Sequence, residues 1–231
     1  MSDRVTFDRT GALTGFHACL PIAMGVATYG LVFGMLARQA GLSVLEIGLM
    51  SALVFAGSAQ FVAIELWQTP LPSLTIILTT LVVNLRHILM GAALRPWFSK
   101  LKPAETYGSA FFMTDENWAL TMGELADGST NAAFLLGSGI AVFLAWISST
   151  VIGAAVGGLI TDVARYGLDF AFTAVFITLL VGLWDGRSDL VPWMSAALVA
   201  VVASQVLSGS WYILLGGLAG SVVAVVSSNG D

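Results

Sequence analysis

The chain has 231 residues, of which 57% are hydrophobic and only 10% are charged, and its net charge is −5. A soluble globular domain carries about 25% charged residues, so the composition excludes one. The apolar stretches reach helix length and lack the alternation of a membrane β-barrel, which indicates an all-α polytopic membrane protein. The acids and bases lie mostly in short connections, so the net charge predicts no nucleic-acid-binding surface.

The first predicted span covers residues 16–37 and follows a polar N-terminal segment, residues 1–14. Its apolar run is too long for a signal peptide, so we expect a retained helix. Gly30 and Gly34 lie four residues apart in it, a spacing that permits close approach of another helix. Cys19 is the only cysteine, and we expect it to pack as a small apolar residue.

The next apolar stretch, residues 43–67, is interrupted by the sequence FAGSAQF at 55–61. The small residues Gly57 and Ser58, followed by Gln60, are typical of a broken or re-entrant helix. Unwound backbone is tolerated in a membrane only where protein or a water-filled cavity satisfies it. The alternative is a continuous helix whose Gln60 is bonded to a neighbouring helix. We expect the break.

The third span, residues 72–94, carries Asn84, Arg86 and His87 near its middle. A cation at that depth costs about 2.5–3.5 kcal/mol on insertion scales. The end of the span lies roughly 13 Å away along the helix, which is far for Arg86 to reach by stretching. Arg86 is therefore expected to face a polar cavity or a buried acidic partner. The alternative is an ion pair that only holds helices together.

The basic loop at 95–103 holds Arg95, Lys100 and Lys102, and such loops mark the cytoplasmic side. Two topologies place it there. The amino terminus lies on the same side if the stretch 43–67 is re-entrant, and on the other side if that stretch spans fully. The distribution of Lys and Arg favours the first, which gives about seven transmembrane helices and one re-entrant hairpin.

The next candidate span, residues 106–123, contains two adjacent acids, Asp115 and Glu116. Acids in such a segment need a cation, a proton or water, and these two are candidate counter-charges for Arg86. The alternative is a surface loop in which both are solvated. Phenylalanine, methionine and tryptophan side chains flank the pair closely, which favours the span.

The rest of the chain has few polar groups and is expected to form scaffold or partner-facing surface. Four further spans are predicted, at residues 131–160, 168–183, 190–205 and 211–226. Together these spans make one transmembrane domain, residues 15–227, with a short tail at 228–231. An inverted-repeat architecture, frequent among transporters, is left open.

The polar groups at membrane depth would suit a zwitterion with an apolar side chain. Arg86 or a half-helix amino terminus can take its carboxylate, an acid its ammonium, and an acid or His87 a coupling proton. The expected substrate or ion path comprises Gly57, Ser58, Gln60, Asn84, Arg86, His87, Asp115 and Glu116. No nucleophile elbow, zinc spacing or phosphate loop is present, so an enzyme is not expected. A channel and a structural membrane subunit are the alternatives to a transporter.

Three stretches in order carry a family resemblance: FAGSAQF at 55–61, NLRHILMG at 84–91 and TDE at 114–116. They resemble the motifs of the AzlC family, the large subunits of bacterial branched-chain amino acid exporters, and the resemblance covers nearly the whole chain. It implies export of branched-chain amino acids across the bacterial cytoplasmic membrane, driven by an ion gradient. It also implies a small AzlD-like membrane subunit as partner. We expect no cofactor.

Overall fold

The computed structural model describes residues 5–159, 186–207 and 211–228, together with positions 170, 177, 181 and 184. These residues form helices, with one isolated bridge between Thr6 and Asn131, which confirms the all-α prediction. The helices are α1 Arg9–Gln39, α2 Val44–Leu53, α3 Gly57–Glu65, α4 Ser73–Asn84, α5 Arg86–Ala93, α6 Arg95–Phe98, α7 Pro103–Phe111, α8 Asp115–Ala126, α9 Ala133–Gly157, α10 Leu190–Val206 and α11 Trp211–Ser228.

Four stretches within the described part are long and apolar enough to cross a membrane: Arg9–Gln39, Ser73–Ala93, Ala133–Gly157 and Arg187–Val206. Each contains or closely matches a predicted span. The first begins earlier than predicted, because Asp8 caps it by accepting a hydrogen bond from the Gly11 backbone N–H. The predicted span at 168–183 lies outside the described residues apart from isolated positions.

Helices α1 and α9 pack side by side in the same direction. Gly15 lies against Phe134, Gly30 against Ser149 and Gly34 against Thr150, so positions advance together along both helices. A Cβ atom added at Gly34 would lie 2.1 Å from the Thr150 carbonyl oxygen. The predicted close packing at Gly30 and Gly34 is therefore confirmed.

The ends of these two parallel helices define two faces of the molecule. At the amino-terminal face, Val5 and Phe7 pack against the same buried cluster as Leu101 of the basic loop, and Trp97 of that loop is part of this cluster. At the opposite face, the Gln39 side-chain amide donates to the Gly157 carbonyl, 2.9 Å. The amino terminus and the basic loop thus share one face, as expected for the topology in which the stretch 43–67 does not cross.

Helices α2 and α3 form a hairpin that folds back towards the opposite face. The predicted break is confirmed: α2 ends at Leu53 and α3 begins at Gly57, with Phe55 between them at a φ of +43°. Gln60 Nε2 donates to Ser51 Oγ across the break, 3.4 Å. In a continuous helix these two residues would lie roughly 13 Å apart, so the chain must reverse.

The single span predicted at 106–123 is wrong, because the structure has two shorter helices, α7 and α8, separated at residues 112–114. Both outer ends of the pair meet α6. Thr106 Oγ1 donates to the Phe98 carbonyl, 3.5 Å, and Trp97 Nε1 donates to the Ser129 carbonyl, 3.3 Å. This second hairpin therefore opens to the amino-terminal face.

The span Ser73–Ala93 joins the two faces but is irregular at Leu85. Leu85 forms a turn between α4 and α5 but keeps helical dihedral angles, φ −55° and ψ −28°, so Arg86 follows an irregular turn within one stretch.

Near the end of the chain, α10 and α11 pack against each other through Gly216 and Gly220 of α11. A Cβ atom added at either glycine would lie 2.9 Å from an alanine Cβ atom of α10. Both helices contain their predicted spans.

We predict that Gly34→Ala lowers the thermal unfolding midpoint in detergent, because its methyl group would overlap the Thr150 carbonyl. Overpacking of this kind costs about 1–3 kcal/mol. Gly25→Ala on the same helix is the matched control, since no atom lies within 4 Å of its Cβ position. A control variant that loses as much stability as Gly34→Ala would contradict the packing assignment.

Candidate functional site

Two helix amino termini and the turn at Leu85 meet at Arg86. Ser58 lies in the first turn of α3, Arg86 begins α5, and Asp115 begins α8. Arg86 Nη1 lies 3.0 Å from Asp115 Oδ2, and Arg86 Nη2 donates a hydrogen bond to Ser58 Oγ. One guanidinium thus joins the tips of the two hairpins, which enter from opposite faces.

The electrostatics of this junction depend on where each charge sits on its helix. Helix amino termini favour negative charge and disfavour positive charge. Asp115 is therefore well placed at the start of α8, whereas Arg86, inside the membrane-spanning stretch Ser73–Ala93, needs a counter-charge. Asp115 supplies it directly. The side chains of the pair remain 34% and 43% exposed at the surface of the chain, so the site is reachable rather than sealed.

Polar groups beside the turn at Leu85 have few or no partners. His87 Nδ1 lies 3.2 Å from the Asn84 backbone carbonyl, within that turn. Asn84 Oδ1 and Arg86 Nε are buried and have no hydrogen-bond partner within the described part of the chain. Two atoms beside the ion pair are therefore free to bind a ligand or water.

Gln60, expected to line a path, lies in the protein interior with only 1% of its surface exposed. Its Oε1 accepts from the Ala56 backbone N–H, 3.3 Å, and from Trp146 Nε1 of α9, 3.2 Å. In this conformation its polar atoms are bonded to protein groups, so the structure gives Gln60 the geometry of a support for the first hairpin. Gly57 permits this packing, because its added Cβ would lie 3.3 Å from the Trp146 ring.

Asn117 supports the second hairpin in the same manner, and sequence analysis gave it no role. It is fully buried, and its Oδ1 accepts from the Thr114 backbone N–H, 2.7 Å. Its Nδ2 donates to the carbonyls of Phe112, 2.9 Å, and of Leu135 in α9, 3.4 Å. A capping spacing, Thr114 followed three residues later by Asn117, was the signal that could have revealed it.

The two adjacent acids differ in their contact with Arg86. Asp115 pairs with Arg86, whereas Glu116 is half-buried and forms no ion pair with Arg86. Consecutive helical residues point about 100° apart, so one arginine does not engage both. The structure therefore separates a paired acid from one not paired with Arg86.

A cluster of phenylalanines closes the space between the two hairpin tips. Phe55 from the first tip lies 4.9 Å from Phe143 of α9 between ring centroids. Phe112 from the second tip lies 5.0 Å from the same ring, and 6.4 Å from Phe55. An apolar wall thus lies within one helical turn of the residues that contact Arg86.

These features define an integral membrane protein of helices, with two broken helices and an ion pair at the junction of their tips. Breaks of this kind, where half-helix termini meet polar groups within a membrane, are typical of secondary transporters. The family model described as AzlC protein matches residues 21–160. The chain belongs to the AzlC family.

Relatives of the chain agree with this assignment. It is 35% identical to an uncharacterized membrane protein of Archaeoglobus fulgidus over 75% of this chain and 76% of that protein. It is 27% identical to inner membrane protein YgaZ of Escherichia coli, over 94% and 92%. It is 24% identical to branched-chain amino acid transport protein AzlC of Bacillus subtilis, over 87% and 79%. No solved structure matches the chain significantly.

We predict a selective energetic coupling between Arg86 and Asp115. A double-mutant cycle with Arg86→Gln and Asp115→Asn, measured by thermal unfolding, should give about 0.2–1 kcal/mol, the range for partly exposed pairs. The matched cycle with Glu116→Gln should give a smaller coupling, since Glu116 is not paired with Arg86. Equal coupling in the two cycles would contradict the pairing.

Proposed function

We propose that this chain is the large subunit of a secondary transporter that exports branched-chain and other hydrophobic amino acids, including leucine, valine, isoleucine and methionine. The family membership and the printed name of the Bacillus subtilis relative support this proposal. The observation that carries it is the Arg86 junction, where one cation contacts both Ser58 and Asp115.

The chemistry of the junction suits an amino acid. Its carboxylate can bind Arg86 through a planar, two-bonded contact, in competition with Asp115, and the unused atoms Asn84 Oδ1 and Arg86 Nε offer further bonds. The ammonium group can then take an acidic partner released by Arg86. The phenylalanine cluster would receive the apolar side chain. Substrate binding would thereby loosen the contact between Arg86 and the second hairpin.

The proposed setting is the bacterial cytoplasmic membrane, with the basic amino-terminal face inside and a small AzlD-like membrane subunit as partner. We propose the proton as the coupling ion and no cofactor. Glu116 is the candidate carrier, because it is half-buried and not paired with Arg86. Exchange of a proton and a substrate at neighbouring acids would link the two fluxes.

Counterflow of labelled leucine, valine and methionine in proteoliposomes tests the proposal, with this chain alone and then with its small subunit. Saturable exchange in either preparation is the expected result. Exchange that needs both chains would add that the path is shared. A folded protein that exchanges none of the three in either preparation would contradict amino acid transport.

Arg86→Lys is predicted to reduce this exchange at least about tenfold, because an ammonium group cannot bind a carboxylate and Ser58 through the same planar fork. Arg95→Lys in the basic loop is the matched control and should exchange normally. Near-normal exchange by Arg86→Lys would remove Arg86 from substrate recognition.

Glu116→Gln is predicted to flatten the pH dependence of flux while exchange of labelled substrate at equal pH continues, because the amide cannot carry a proton. The measurement is flux under an imposed pH gradient, beside exchange without one. An unchanged pH profile in Glu116→Gln would transfer the proton-carrying role to Asp115 or His87.

A further inference from the structure

The tips of the two hairpins share a short sequence pattern. The first reads Phe55-x-x-Ser58-x-Gln60 and the second reads Phe112-x-x-Asp115-x-Asn117, with the same spacing between the three named positions. The next residue is aromatic in both, phenylalanine in the first and tryptophan in the second. At the other two positions, the hydroxyl of Ser58 corresponds to the carboxylate of Asp115, and the amide of Gln60 corresponds to the amide of Asn117.

Corresponding residues in the two tips have corresponding contacts. Phe55 and Phe112 both pack on Phe143 of α9. Ser58 and Asp115 both contact the guanidinium of Arg86. The shared pattern is therefore accompanied by a shared arrangement in space, which a chance likeness of seven residues would not produce.

The two amides also make equivalent hydrogen bonds. The side-chain oxygens of Gln60 and Asn117 each accept from a backbone N–H within their own break, that of Ala56 and that of Thr114. Their nitrogens each donate back across the break, to Ser51 and to Phe112. Both amides also bond α9, and both are buried to 1% exposure or less.

The helices around the tips repeat as well, in opposite orientation. Each hairpin begins with a glutamate that accepts from a backbone N–H three residues earlier, Glu46 from Ser43 and Glu105 from Lys102. Each is followed by a long apolar span, Ser73–Ala93 or Ala133–Gly157. The first span runs towards the amino-terminal face and the second runs away from it.

We propose that residues 43–93 and 102–157 are two inverted-topology units, each a re-entrant hairpin followed by a span. In this arrangement Gln60 and Asn117 are equivalent positioning residues, which hold Ser58 and Asp115 on the shared Arg86. The consequences for transport rest on the proposed function, whereas the topology does not.

The arrangement assigns one contact of Arg86 to each face. The α7–α8 hairpin fills the half of the path nearest the amino-terminal face, so releasing Asp115 from Arg86 opens the path there. The α2–α3 hairpin fills the other half, so releasing Ser58 opens the path to the opposite face. A substitution that weakens the support of Asp115 therefore favours the state open to the amino-terminal face, and one that weakens the support of Ser58 favours the state open to the opposite face.

Cysteine labelling tests the topology without any transport assay. In a Cys19→Ser background, single cysteines are placed at the exposed positions Ser43, Gln68, Ala104 and Asp127, which flank the two hairpins. A membrane-impermeant maleimide is then added to right-side-out and to inside-out vesicles. The first two positions should label from one side and the last two from the other. Labelling of positions 43 and 68 from opposite sides would overturn the proposal.

Transport kinetics test the two positioning residues. Apparent affinity at a face depends on the population open to that face, so Asn117→Ala should lower the KM at the amino-terminal face and raise it at the opposite face. Gln60→Ala should do the reverse, each by at least about two- to tenfold, because even one lost buried hydrogen bond has an effect of that size and each amide makes at least three. Gln205→Ala, an exposed amide on α10, is the control and should change neither KM. Shifts in the same direction for both variants, or changes in maximal rate alone, would overturn the paired roles.

Discussion

A single guanidinium within a membrane-spanning segment is the constraint on which the arrangement of this protein depends. Arg86 lies roughly 10 Å from the end of α5, too deep to reach water along its own helix. It is stabilised there by Asp115 and Ser58, which belong to different hairpins. Both hairpins must therefore end at the depth of Arg86, and both chain breaks follow from that requirement.

Helix α9 supplies the surface against which this junction is built. Glycines on α1 and α9 bring the two backbones into direct contact, as at Gly34 and Gly153. Side chains of α9 then reach the hairpins, with Trp146 bonded to Gln60 and Phe143 packed on both tips. Backbone-to-backbone packing has little freedom to adjust, whereas the tips are held by a few hydrogen bonds. Movement is therefore easier at the tips than in the α1–α9 pair.

Local sequence predicted those parts of the fold whose cause is local. The break after Leu53 was evident because small residues and a glutamine interrupt an apolar run, and the glycine pair on α1 was evident from its spacing. The pairing of Arg86 with an acid followed from the cost of burying a charge alone. Each of these inferences needs only a few neighbouring residues and a general property of the bilayer.

The parts that sequence analysis missed depend on contacts between distant segments, or on a second structural role of a segment that was considered only for its charges. Asp115 was considered as a charge, and Asn117, two residues later, was not recognised as part of the capping box with Thr114 that begins α8 and divides the predicted span. No glycine or proline marks the turn at Leu85, and it places Arg86 where both tips can reach it. The contact between Phe55 and Phe112 could not be predicted from either segment alone.

The division between Asp115 and Glu116 shows how one short segment can serve two purposes. The helical turn of about 100° per residue directs Asp115 towards Arg86 and Glu116 away from it, so the adjacent carboxylates do not share this partner. If both carboxylates were paired with Arg86, protonation of one would leave the other paired with it, and the contact between Arg86 and the second hairpin would be kept. Because Asp115 is the acid paired with Arg86, another carboxylate that binds Arg86 would compete with this one contact. Glu116 lies beside the junction without sharing that contact, so a change at one of the two acids need not change the contact of the other.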